Sequence, residues 1–166
     1  MQKLWIYTLS KKLTEEQEID LKNRCQTFVS GWTAHDTSLD ASFELYKHRL
    51  LIFKVDETKY AASGCSIDKQ LRLVKELEQV FTPSKASGAE ILEAPFELLN
   101  RLLVAYEMNG VVEVVKASEI KELLTNITIS KDTLVYDNTI TNSDELNSSW
   151  KKPLSETYLA KYLVIV

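Results

Sequence analysis

Glycine is scarce in this 166-residue chain, and its four positions (31, 64, 88 and 110) already exclude two large classes of nucleotide site. A Walker A loop needs glycines around a Lys-Ser or Lys-Thr pair so that backbone N–H groups can cradle phosphates, and no Gly-Lys pair occurs. The G-x-G-x-x-G turn of dinucleotide-binding folds is missing as well. Cysteine is scarcer still. Cys25 and Cys65 make neither a disulfide framework nor a zinc pattern, so both read as reduced thiols. His35 and His48 are the only histidines, too few for a metal cluster. HExxH, CxxC, EF-hand, HRD and G-x-S-x-G patterns are absent, and no cofactor or metal is expected.

Positive charge is not in excess either. Twenty Lys and Arg stand against 24 Asp and Glu, for a net charge of −4. Such a chain lacks the basic field that nucleic acid or an anionic membrane would need. Long apolar runs are missing: stretches such as Leu50–Phe53 fall far short of the ~20 residues of a membrane span. The apolar start, Met1 to Tyr7, is short and is followed by Lys11 and Lys12, unlike a secretion signal. The expectation is a cytoplasmic protein with no membrane or nucleic-acid partner.

Apolar residues make up 45% and charged residues 27%, as in ordinary globular proteins. The length suits one α+β domain over residues 1–166, with a core to residue 116 and a C-terminal extension over 117–166. Lys3–Leu9 reads as a strand. Thr14 and Gln17 have capping-box spacing, and Leu21, Cys25, Phe28, Val29 and Trp32 then form one helical stripe ending near Gly31. Thr33–Asp40 reads as a loop. Ser42–His48 and Leu50–Asp56 read as a hairpin, the second strand apolar enough to be buried on both faces. Gly64 is expected to allow a sharp bend and Ser66 to cap a second helix with the stripe Ile67, Leu71, Val74, Leu77 and Phe81, stopped by Pro83.

Ser84–Ala94 reads as an exposed loop and Phe96–Asn100 as a short helix. Asn109-Gly110 between Arg101–Tyr106 and Val111–Val115 is the strongest hairpin signal in the chain. A short helix capped by Ser118, a strand at Thr133–Asp137, a helical turn from Ser143 and a last helix capped by Ser155 complete the expectation. The first six elements spell the ferredoxin-like βαββαβ order, a two-layer sandwich with an extra C-terminal strand and helices.

One segment has the composition of a site. In Ser63-Gly64-Cys65-Ser66-Ile67-Asp68 a thiol stands at a helix start, where unpaired N–H groups favour a thiolate. Cys65 is thus a candidate nucleophile or redox sensor, with His35 as possible base; as an alternative it is a small buried apolar residue. Ser63, Gly64, Ser66 and Lys69 could hold a phosphate or carboxylate at the same helix start, or simply cap it. Phe43, Tyr46 and Phe53 read as core aromatics.

Trp32-Thr33-Ala34-His35, Ala41-Ser42-Phe43-Glu44-Leu45 and Ser63 to Lys69 resemble a family of short, uncharacterised bacterial proteins, mainly of the Bacteroidetes lineage. So do Leu103-Val104-Ala105-Tyr106, Asp132-Thr133-Leu134-Val135 and Trp150-Lys151-Lys152-Pro153-Leu154. The resemblance runs from about Trp5 to Leu163. The family is often labelled an ABC-transporter ATPase, a machine whose Walker A motif this chain lacks. The resemblance implies a lineage and no catalytic residue. The leading expectation is a non-enzymatic binding or interaction domain that pairs with itself or a protein partner. The alternative is a small thiol-dependent enzyme or redox sensor using Cys65, and ATP hydrolysis ranks last.

Overall fold

The computed structural model describes residues 2–83 and 94–165, so the expected loop over Ser84–Ala94 lies, but for Ala94, outside the described residues. The architecture is mixed α and β and has four layers. Its first sheet has the order β1-β5-β4, formed by β1 (Gln2–Thr8), β4 (Asp40–Tyr46) and β5 (Leu50–Asp56), all antiparallel. β5 explains the layering. Its odd positions Leu51, Phe53 and Val55 join one apolar core, and its even positions Leu50 and Ile52 join another. Period-two alternation with both sets apolar leaves neither face for solvent.

The odd face is covered by α1 (Glu15–Ser30) and α2 (Gly64–Phe81). α1 starts at the expected capping box: Gln17 N donates to Thr14 Oγ1 at 3.2 Å and Thr14 N to Gln17 Oε1 at 3.0 Å. α1 contributes Leu21, Cys25 and Val29, and α2 contributes Leu73, Val74, Leu77 and Phe81. Trp32 is fully enclosed here, tilted against Phe28 and edge-on to Phe53.

The even face packs on a second sheet. β6 (Leu103–Met108), β7 (Val111–Lys116), β8 (Leu134–Tyr136) and β9 (Lys151–Pro153) lie in the order β7-β6-β8-β9. Ala105, Val112 and Tyr136 meet Leu4, Ile6, Leu50 and Ile52 between the sheets. The outer residues Val104, Tyr106 and Val135 are covered by α3 (Ile120–Thr125) and the 3₁₀ turns that carry Leu154 and Leu159. α4 (Ser143–Ser148) packs beside β1, with Leu146 against the inter-sheet core.

Several expectations are corrected. The ferredoxin-like arrangement is not confirmed, because its last strand should complete the first sheet beside β1, whereas β6 pairs with β7 and β8. Thr33–Asp40 is not merely a loop: β2 (Thr33–Ala34) and β3 (Thr37–Ser38) make a small hairpin, its turn residues His35 and Asp36 in the left-handed region at φ 47° and 64°. α2 begins at Gly64 with Ser63 as its N-cap, so Ser66 lies inside the first turn. The residues at Phe96–Asn100 form no helix. α4 does start at Ser143, capped by Asn142, whereas the expected last helix is instead two 3₁₀ turns separated by Thr157.

Candidate functional site

At the start of α2, Ser66 N donates to Ser63 Oγ at 3.3 Å, and Ser66 Oγ donates to the Ser63 carbonyl at 2.7 Å. Both hydroxyls are thereby used in closing the first turn. Ser66 is fully buried, and its carbonyl receives the Trp32 indole N–H at 2.8 Å, which ties α2 to the residue that follows α1 and Gly31. Gly64 has space around its Cα and no left-handed φ, so no bend there calls for glycine. Lys69 donates to Thr33 Oγ1 at 3.0 Å.

Cys65 is exposed, in a shallow hollow with Asp68, Lys69, Arg72 and Lys75. Neither histidine shares that hollow. His35 is exposed on the β2–β3 turn, and His48 meets the buried Glu18 carboxylate through Nδ1 at 2.8 Å. Among the described residues no imidazole hydrogen-bonds to the Cys65 thiol. Cys25 is enclosed in the core, where burial pushes its thiol up to about 12. No group of three or more metal-ligating side chains occurs among the described residues.

A second place has the shape of a site. A cavity of about 520 Å³ opens where β6 and β8 part, alongside the outer edge of β1. The two strands are registered at Tyr106 and Val135 alone, and beyond that pair Val104 and Asp137 diverge around the cavity. Its floor is buried: Ile6, Thr8, Leu98, Leu103, Val104 and Tyr136. Its rim is exposed and mixed, with Arg101, Leu102, Glu156 and Tyr158. Leu102 and Tyr158 are 67% and 61% exposed, large values for apolar side chains at the mouth of an apolar hollow.

The polar groups of this cavity are fixed by short-range bonds. Asn138 donates its amide N–H to Thr8 Oγ1, while its Oδ1 is enclosed without a partner. Asp137 accepts from Thr139 N at 3.0 Å and meets Lys152 at 3.5 Å. Arg101 faces no carboxylate among the described residues. Its charge reaches the Tyr7 hydroxyl on β1, working against the burial that pushes that phenol up to about 12. An apolar floor with a few polar groups at the rim, within the usual 300–1,000 Å³, is the general form of a ligand site.

Sequence reasoning missed this cavity. Its walls come from β1, the segment before β6, the end of β8 and the turn after β9, and no spacing in the chain links those four. Arg101 and Leu102 read as the start of a strand, whereas β6 begins at Leu103 and both residues stand exposed before it. Comparison of the chain with protein-family models, with curated proteins and with solved structures yields no match.

Proposed function

We propose that this chain is a non-enzymatic cytoplasmic binding protein that takes its ligand in the cavity between β1, β6 and β8. The observation that carries the reading is the combination of a buried apolar floor with an exposed Arg101, Leu102 and Tyr158 at the rim. Arg, Tyr and large apolar groups around an enclosed pocket are the residue types that concentrate binding energy. The alternative, thiol chemistry at Cys65 with His35 as base, has less support, because no imidazole hydrogen-bonds to the Cys65 thiol among the described residues. Within the same proposal, β1, α1, β4, β5 and α2 are the opening of a ferredoxin-like order whose last strand has been drawn into a second sheet. The Bacteroidetes-type family is the proposed lineage.

The test is to block the mouth without touching the floor. Thr139 is exposed on the rim; its backbone N–H and its hydroxyl both donate to Asp137 Oδ1, at 3.0 and 2.5 Å, and a tryptophan keeps the backbone bond. Thr139→Trp should leave the melting temperature within a few degrees of wild type. Octanoate should shift the methyl resonances of Leu98, Val104 and Val135 in the wild type and at least ten-fold more weakly in the variant. Equal shifts in both proteins, or none in the wild type, would count against the cavity as the binding site.

A further inference from the structure

Resting on that reading, we propose that the cavity's occupant is an extended peptide segment that adds as a strand to the outer edge of β1, with an acidic side chain on Arg101.

The alternation of β1 is set by two bonds. Leu9 N donates inward to the Arg49 carbonyl at 2.8 Å, continuing the ladder with β5, and Leu4 N donates outward to the Thr141 carbonyl at 2.8 Å. In an antiparallel strand the N–H and C=O of one residue share a side, and the side reverses at each residue. Trp5 and Tyr7 therefore face β5, whereas Ile6 and Thr8 turn their backbone groups outward. β1 is the terminal strand of its sheet, so no strand is registered against them among the described residues. Both residues line the cavity.

Small molecules seldom match two N–H and C=O pairs spaced about 7 Å apart along a strand; a peptide repeats at that spacing every second residue. The chain itself already uses this edge. Thr141 and Asn142 pair with Leu4 and Lys3 immediately upstream, so this edge of β1 is one to which extended backbone already adds. Chemistry at the rim restricts the peptide further. Arg101 offers a cation without a carboxylate among the described residues, and Leu102 and Tyr158 offer exposed apolar faces. Glu156 stands on the same rim with no cation against it among the described residues, so a run of acidic residues is disfavoured. The fitting pattern is apolar–acidic–apolar, because side chains two apart share a face and the middle one turns to the rim.

The experiment uses the full chain and the blocked pentapeptide serine–isoleucine–glutamate–valine–serine, with amide hydrogen exchange followed by NMR. The peptide should slow exchange at the Ile6 and Thr8 amides at least ten-fold. Replacing its glutamate by lysine should weaken binding at least ten-fold, and Arg101→Glu should reverse that preference. Binding without protection of these two amides, or binding indifferent to the charge exchange, overturns strand addition. Occupation of the cavity by octanoate while the peptide fails also overturns it, and leaves the binding-protein reading standing. Failure of both probes to move any cavity resonance overturns the two together.

Discussion

Glu107 shows how much of the molecule is decided by single side chains that come together only in the fold. Its carboxylate receives Lys151 Nζ at 2.7 Å, the Tyr136 hydroxyl at 2.6 Å and Lys47 Nζ at 3.3 Å. The Lys151 bond, then that of Tyr136, holds its carboxyl down at about 2, below the usual 4.5. A depressed carboxyl stabilises the fold above about pH 4.5, and that contribution disappears as the pH falls towards 2. Glu107→Gln should lower stability at pH 7 by on the order of 2 kcal/mol. In urea titrations the gap between variant and wild type should close between pH 4.5 and 2; a gap independent of pH would show that the contact matters only sterically. The two cysteines give a simpler contrast. Native protein should take one equivalent of iodoacetamide, at Cys65, with Cys25 reacting only on unfolding, since a buried thiol is both inaccessible and protonated. Local pairs such as Thr14 and Gln17 could be read from spacing. The Glu107 group could not, because its partners come from three other segments.

Turn chemistry and periodicity separate the elements that were legible from those that were not. Asn109-Gly110 forms the expected hairpin, with both residues left-handed at φ 50° and 80°. Gly110→Val should therefore cost about 1–2 kcal/mol, a purely backbone penalty, because nothing lies within 4 Å of an added Cβ. Gly64→Ala, at an ordinary helical position with equal space, should instead raise the denaturation midpoint slightly. Equal losses at both glycines would contradict these backbone assignments. His35 and Asp36 reach left-handed φ without glycine, which is why the β2–β3 hairpin gave no signal. The expected stripe of α2 matches its buried face at Val74, Leu77 and Phe81, but in the first two turns the buried positions precede Ile67 and Leu71 by one residue. Ser66 and Gln70 occupy buried positions, the first receiving Trp32 and the second accepting from the Tyr7 hydroxyl at 3.2 Å. A pattern that counts only apolar residues turns such a helix by a fraction of a turn.

Across the whole molecule, burial of β5 on both faces is the feature that organises the layers. The apolar run Leu50–Phe53 announced a strand without an exposed side, and the helices on one face were foreseen. What covers the other face was not, because strand order between distant segments leaves no local trace. β8 and β9, from the expected appendage, supply half of the second sheet. Moving β6 into that sheet leaves β1 as an edge, and an edge strand beside a cavity is what makes this place the proposed site. Amide hydrogen exchange along β1 in the unliganded protein tests this most directly. The account predicts alternation: Trp5 and Tyr7 protected by β5, Ile6 and Thr8 exchanging at least ten-fold faster into the cavity. Uniform protection of all four amides would mean that the edge is already satisfied and that the cavity has no strand to offer.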